Sequence, residues 1–343
     1  MRISKKLTLL TSLLLLALIA LPGWLAFDFY RFAHTPHGAQ GPPVVFEIAP
    51  GEPFRRVAER LHAAGLIADP RRFRILAYLK KADTRFKAGE FELPTPVTPL
   101  ETIATLVDGK VVRYALVIPE GYSLAQIAAE VERAGLGKAA DFIDLAGRPD
   151  VVRTYGIDAP NLEGYLFPDT YSFSKNESVE TVIAQMILRF REQLPPGWEQ
   201  RAAELGLSLH QVVTLASIIE KETGDPAERP LIASVFHNRL KRKMRLDSDP
   251  TVIYGIADFD GNLTRRHLTT LTPYNTYMIK GLPPGPIACP GRAAIEAALY
   301  PAETDYLFFV ARKDRTHQFS NNIQDHNRAV REHQVRPRKR SAP

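Results

Sequence analysis

The sequence predicts an α+β protein: an N-terminal transmembrane helix, one or two small α+β modules, then a mainly helical domain with long loops and a few strands. Three observations predict it. From Leu7 to Phe27 the chain is nearly unbroken Leu, Ala and Ile, interrupted by Thr8, Thr11 and Ser12. A stretch from Ile48 to Leu66 superposes without gaps on Ile118 to Leu136, 70 residues later. Beyond Ser178, apolar residues recur at helical spacing until loops rich in Pro, Tyr, Asn and Asp take over.

The first element is a membrane candidate. Its 21 residues, at 1.5 Å each, suffice to cross a bilayer core of roughly 30 Å. Arg2, Lys5 and Lys6 precede it, which predicts a cytoplasmic N-terminus and export of the rest. A cleaved signal peptide is the competing reading, but Pro22, Gly23 and Trp24 lead into Asp28, Phe29 and Tyr30 without a small-x-small cleavage site. Trp24 and Tyr30 are expected at the interface.

Charge and cysteine content narrow the classes. The net +6 is concentrated at the ends, in Arg2, Lys5, Lys6 and in Arg336, Arg338, Lys339, Arg340, which leaves −1 for everything between. A nucleic-acid groove is therefore not indicated. A single cysteine, Cys289, permits neither an intrachain disulfide nor a cysteine zinc site. No cofactor is expected.

The segment from residue 28 to 43, with Pro and Gly between His34 and Pro43, reads as a linker. Each copy of the repeat then reads as a strand, a Gly turn and an amphipathic helix closed by Gly65 or Gly135. In the first copy a second helix from about Asp69 to Lys81 and a strand near Gly89 to Leu93 follow. That order resembles the LysM-like module of cell-wall proteins, and a spacer or dimerisation unit that binds no sugar is the alternative.

Ser178 to Gln193 is an amphipathic helix. Next, Ser208 is a helix N-cap, and from Val212 to Ile219 the chain is apolar apart from Thr214 and Ser217, so this helix belongs inside a domain. Glu220 and Glu222 stand in its last turn. Residues two apart point opposite ways, so only one can face a given cleft. Glu220 shares a face with Val213, Ala216 and Ser217, where apolar neighbours and the negative end of the helix dipole favour a protonated carboxyl. That is the environment of a general acid. Glu222 is expected in a structural salt bridge to Arg239. Asp225-Pro-Ala-Glu228 reads as a capping box opening a further helix with Leu231, Ile232, Val235, Phe236 and Leu240 as its core face.

The loops hold the polar residues Glu163, Asp169, Thr170, Asn238, Arg239, Ser248, Asp249, Thr251, Tyr274, Asn275 and Tyr277. Asn, Asp and Thr beside Tyr165, Phe167, Tyr171, Tyr254, Tyr274 and Tyr277 suit sugars, although such aromatics also fill cores. A strand-like run at Tyr306 to Val310 follows. His317 and His326 are nine residues apart with no third ligand, so no metal is expected.

Leu162-Glu-Gly-Tyr-Leu-Phe-Pro-Asp-Thr-Tyr171, Ala216-Ser-Ile-Ile-Glu-Lys-Glu-Thr223, Val235-Phe-His-Asn-Arg-Leu240, Leu246-Asp-Ser-Asp-Pro-Thr-Val-Ile-Tyr254, Pro273-Tyr-Asn-Thr-Tyr277, Gly281-Leu-Pro-Pro-Gly-Pro-Ile287 and His317-Gln-Phe-Ser320 with His326-Asn327 together resemble the YceG-like family over nearly the whole chain. Two departures are Cys289, where the family usually has Asn, and Asp325, where it usually has Glu.

The resemblance implies a bacterial inner-membrane, single-pass enzyme whose periplasmic domain cleaves the β-1,4 bond between N-acetylmuramic acid and N-acetylglucosamine without water, leaving 1,6-anhydro ends. Glu220 matches the family's catalytic Glu, and Ser217, Glu222, Asn238 and Tyr274 would position it and the sugar. One carboxyl suffices, first as acid and then as base. A hydrolase would need a second carboxylate at about 5–5.5 Å or about 6.5–9.5 Å, for which Asp169, Asp249 and Glu163 are the candidates. Peptidoglycan strands and membrane-bound cell-wall synthases (penicillin-binding proteins) are the implied partners, and termination of nascent glycan elongation the implied role. The rivals are a muramidase-type hydrolase and a non-catalytic peptidoglycan-binding scaffold. The expected divisions are a cytoplasmic tail over 1–6, the membrane helix over 7–27, the linker over 28–43, a LysM-like module over 44–112, a catalytic domain over 113–335 whose segment 113–146 repeats part of that module, and a basic tail over 336–343.

Overall fold

A computed structural model describes residues 2–175, 177–314 and 316–334. Arg336, Arg338, Lys339 and Arg340 of the expected basic tail lie outside them. The chain mixes helix and sheet and divides into two compact units, Met1–Tyr114 with Phe173–Asn176, and Ala115–Ser172 with Glu177–Pro343.

In the first unit, α1 (Arg2–His34) is followed by β1 (His37–Ile48), α2 (Phe54–Ala63), α3 (Pro70–Leu79), β2 (Gly89–Val97) and α4 (Pro99–Asp108). Among the described residues α1 is the one helix long and apolar enough to cross a membrane, with a mean hydropathy of 2.2 and none of its apolar window buried. The stretch read as a linker is structured instead. Residues to His34 continue α1, and from His37 the chain pairs antiparallel with β2, with register shifts at Gly41 that absorb the Gly and Pro residues. Pairing with a strand some 50 residues away is invisible to local composition.

Helices α2, α3 and α4 close over the two-stranded sheet around Phe46, Leu61, Phe73, Phe91 and Leu106, all buried. Asp69 caps α3 by accepting the Arg71 and Arg72 N–H groups, and Thr98 and Glu101 form a capping box on α4. Buried Glu90 accepts from the Tyr114 hydroxyl at 2.7 Å and the Lys175 ammonium at 3.0 Å, and the Tyr114 bond leads in holding its carboxyl below the usual range.

The second unit runs β3 (Tyr114–Val117), α5 (Leu124–Arg133), α6 (Ala139–Gly147), α7 (Pro149–Thr154), β4 (Thr170–Phe173), α8 (Val179–Gln193), α9 (Trp198–Leu205), α10 (Leu209–Glu222), α11 (Arg229–Lys241), α12 (Asp249–Tyr254), α13 (Arg265–Thr269), α14 (Arg292–Leu299), β5 (Phe308–Ala311), β6 (His317–Ser320) and α15 (Ile323–His333). Strands β3 and β4 pair, and β5 pairs antiparallel with β6. Helix α10 is central: it packs on α14, α11, α9 and α12. Its N-terminus carries the Ser208–Gln211 capping box, and every residue from Val212 to Ile219 is buried. Fully burying one Val, Leu or Ile side chain contributes about 1.5–3 kcal/mol, so this apolar run fixes α10 in place.

The repeat is a repeat in three dimensions. Gly51 and Gly121 turn at φ 74° and 76°, and the two helices that follow are each ten residues long. Both close identically: Gly65 and Gly135 N–H donate three residues back, while Leu66 and Leu136 N–H donate five back, to Leu61 and Val131. This is the Schellman arrangement, in which glycine at positive φ reverses the chain and a buried leucine seals the end.

One expected start fails. Helix α11 begins at Arg229 with no side-chain cap, and Asp225 only closes a turn by accepting from Ala227 N–H at 2.9 Å. The Glu228 carboxylate is committed elsewhere, taking the His317 N–H at 2.7 Å and its ring Nδ1 at 2.6 Å.

Candidate active site

The last turn of α10 sends its two carboxylates into different surroundings. Glu220 Oε1 accepts from Arg229 Nη2 at 2.9 Å and Oε2 from Gly291 N–H at 3.0 Å. The side chains of this pair are 6% and 8% exposed. Burial, the largest influence, still raises the Glu220 pKa, with the Gly291 bond and Arg229 opposing it. Arg229 also reaches Glu120 at 3.4 Å, and Lys221 Nζ donates to Gly121 O at 3.1 Å. Glu220 therefore combines the raised pKa the apolar run predicts with a cationic partner the run does not predict. The signal it lacked was Arg229, nine residues on and in another helix.

Cys289 belongs to the wall behind this pair. It is fully buried, its N–H donates to Tyr122 O at 2.8 Å, and its carbonyl accepts from Gly121 N–H at 3.0 Å.

Glu222 emerges on the other side. Its Oε1 accepts from Ser248 Oγ at 2.5 Å, and among the described ion pairs it has no cationic partner. Burial first, and then neighbouring Asp249, push its pKa up to about 7 against the pull of the Ser248 bond. The expected Glu222–Arg239 salt bridge does not form. Arg239 instead donates to Leu307 O at 2.7 Å, Leu246 O at 2.9 Å and Asp247 Oδ2 at 2.9 Å, and lies over the Phe308 ring at 5.2 Å. These bonds from Nε and Nη1 tie Arg239 to residue 307 and the 245–247 segment, and it influences Glu222 through its field.

Glu222 lines a cavity of about 480 Å³ whose walls include Arg239, Asp249, Tyr277, Phe308, His317 and His326. Tyr277 Oη donates to Asp249 Oδ1 at 2.8 Å, and the His326 ring stacks on Phe308 at 5.1 Å. His326 is held below its usual pKa by burial and then by Arg239. Apolar ring faces beside carboxylates and a hydroxyl suit a sugar.

The remaining sequence candidates lie away from this cavity and stabilise the fold. Glu163 is buried, accepts from Leu124 N–H at 3.0 Å and Tyr254 Oη at 3.1 Å, and is pushed up to about 7 by burial. Asp169 pairs with Arg189 at 2.6 Å, and Thr170 is exposed on β4. Ser217 donates to Thr214 O and accepts from Ile287 N–H at 3.0 Å. The Asn238 amide holds Thr304 O at 2.7 Å and Tyr306 O at 3.0 Å. Thr251 bonds Ser248 O and Thr276, and buried Asn275 ties down the carbonyls of His267, Leu268 and Thr270. Tyr274 packs against Tyr254 at 4.8 Å. Of the aromatics, Tyr165, Phe167 and Tyr171 are buried core. His317 is occupied by Glu228.

Residues 46–332 match the model of the YceG-like family. The chain belongs to the YceG-like family. It is 34% identical to the endolytic murein transglycosylase of Bacillus subtilis (strain 168), over 83% of each chain. It is 30% identical to the endolytic murein transglycosylase of Streptococcus pneumoniae serotype 2 (strain D39), over 94% of this chain and 64% of that longer relative. A crystal structure of a yceG-like protein from Listeria monocytogenes superposes with a TM-score of 0.59 at 33% identity, covering 84% of this chain and 98% of that one. YceG-like membership accounts for the motifs as one set, and most of their residues hold loops around α10 instead of meeting the cavity.

Proposed function

We propose that this protein is an endolytic lytic transglycosylase of peptidoglycan and that Glu222, not Glu220, is its acid and base. The observation that carries the assignment is the contrast between the two carboxyls. Glu222 faces the 480 Å³ cavity with its pKa pushed up to about 7, whereas Glu220 spends both oxygens on Arg229 and Gly291. A carboxyl raised toward neutrality keeps a protonated fraction there, the condition general acid catalysis needs.

With a glycan strand in the cavity, protonated Glu222 gives its proton to the oxygen bridging N-acetylmuramic acid and N-acetylglucosamine. As the C1–O bond breaks, the C6 hydroxyl of the muramoyl ring closes on C1, and the Glu222 carboxylate takes that hydroxyl's proton. Water is not consumed and the product is a 1,6-anhydro end. Ser248, donating to Oε1, keeps that oxygen as an acceptor and leaves Oε2 to carry the proton. Asp249 is the one carboxylate of the three hydrolase candidates on the cavity wall, and its bond from Tyr277 supports a place in substrate positioning.

Helix α1 supports a single-pass anchor with the second unit on the periplasmic side. The β1–α2–α3–β2 order supports a LysM-like stalk. Tethering near the membrane raises the effective concentration at newly made strands, which fits termination of nascent glycans beside penicillin-binding proteins. The test is the mass of products released from peptidoglycan by the full chain in detergent. Anhydro ends support this reading. Reducing ends, heavier by one water, would identify a hydrolase, and no release by wild type would identify a binding scaffold.

A further inference from the structure

We propose that the exposed face of α3 lies against the anionic headgroup surface of the same membrane that α1 enters, so that the first unit is docked on the bilayer as well as tethered to it. The inference rests on the reading of α1 as a membrane span.

Helix α3 buries Phe73, Leu76 and Ala77. Its other sides leave Ile75 53%, Tyr78 70% and Leu79 64% exposed, an unusual set of large apolar groups on a ten-residue helix. Between residues 70 and 81 the chain carries Arg71, Arg72, Arg74, Lys80 and Lys81 and no acidic residue. Apolar and basic side chains on one helix face are the composition of an interfacial helix, in which the rings and aliphatics enter the acyl boundary while the cations meet lipid phosphate.

The position of α3 is what selects lipid over another occupant. Arg72 Nη2 pairs with Asp28 Oδ2 at 2.9 Å, and its guanidinium lies 5.9 Å from the Phe32 ring centre. Asp28 directly follows the apolar run that ends at Phe27. Ile75 and Leu79 lie three and seven residues beyond Arg72 and therefore share its row on the helix surface. Leu79 is then about 10 Å along the helix axis from the residue bonded to the end of the span. Beside that row is a hollow of about 420 Å³ lined by Phe54, Arg71, Arg74, Ile75, Tyr78 and Asp83. Two guanidiniums and a phenol around such a hollow suit a phosphate headgroup, against the one opposing carboxylate of Asp83.

The test is depth-dependent spin labelling of the full chain in vesicles of phosphatidylethanolamine and phosphatidylglycerol. Cys289 is fully buried, so cysteines introduced singly by Leu79→Cys, Ile75→Cys, Glu59→Cys and Leu18→Cys are the labelled sites. Nitroxides at 75 and 79 are expected to collide more with oxygen than with a water-soluble nickel chelate, and the one at 59, on exposed α2, the reverse. Adding Arg74→Glu and Lys80→Glu, or using phosphatidylcholine vesicles, is expected to return labels 75 and 79 to the aqueous pattern. Aqueous labels at 75 and 79 with a lipid-buried label at 18 would overturn the docking and leave the anchor standing. An aqueous label at 18 overturns both. An immobilised label at 79 without oxygen preference means that a protein surface covers this face, which also refutes the lipid assignment.

Discussion

At position 222, a carboxyl with its pKa pushed up to about 7 and no cationic partner among the described ion pairs has the character the proposed proton donor requires. Glu222→Gln is expected to lower the rate of anhydro-product release on the order of 10²-fold or more, the usual worth of a general acid. Glu220→Gln should act differently. It removes the closer of the two carboxylates that meet the buried guanidinium of Arg229, so the loss falls on stability, about 3 kcal/mol for breaking a buried pair, while turnover per folded molecule is expected to survive. Melting temperature and product yield measured on the two variants separate the roles, and the reverse pattern would return the acid to Glu220. The donor must be protonated, so activity should decline as pH rises through about 7, and the midpoint should move when Ser248→Ala removes the bond that lowers the Glu222 pKa. Loss of that bond raises the pKa, so the limb shifts to higher pH.

Helix ends and turns carry the next set of consequences. Gly65 and Gly135 occupy positive φ with open space where a Cβ would go, so alanine at either costs only the left-handed backbone, about 1–2 kcal/mol. Gly164 is different: at φ 85° its Cβ would also overlap Pro286 and Val213, and overpacking adds about 1–3 kcal/mol. Denaturant midpoints should rank Gly164→Ala well below the other two. Glu163 joins the N-terminus of α5 to Tyr254 of α12 from a buried site with a pKa pushed up to about 7. The folded state therefore holds its proton more tightly than the unfolded chain, whose Glu titrates near 4.5, so stability falls as pH rises from about 4.5 to about 7. A shift of that size corresponds to about 3 kcal/mol. In Glu163→Gln this part of the decline should vanish, leaving the similar part that Glu222 contributes. The element scale was also the most legible in sequence. Ser208, Gly65, Gly135 and the apolar run over 212–219 sit where caps and periodicity place them, because those signals act within one turn of the chain. The capping box at 225–228 misled because Glu228 is claimed by His317, 89 residues away.

For the molecule as a whole, an apolar helix α1 precedes a first unit with its own core and a second unit built on α10, the arrangement the proposed membrane anchor requires. The full chain is expected to remain in the membrane fraction after high-salt and alkaline washes, with release by detergent alone. Recovery in the wash would favour a cleaved leader over an anchor.

The amino-acid sequence by itself determined the apolar span, the duplicated strand–glycine–helix unit, the buried α10 and the family, because each is written in neighbouring residues or in motif order. It also determined that Glu220 and Glu222 part company, since residues two apart on a helix cannot share a face. Only the tertiary structure decided which partners each of them meets. The Arg229 and Gly291 that tie up one carboxyl, and the Ser248, Phe308 and His326 that surround the other, arrive from distant segments through packing that no local pattern encodes.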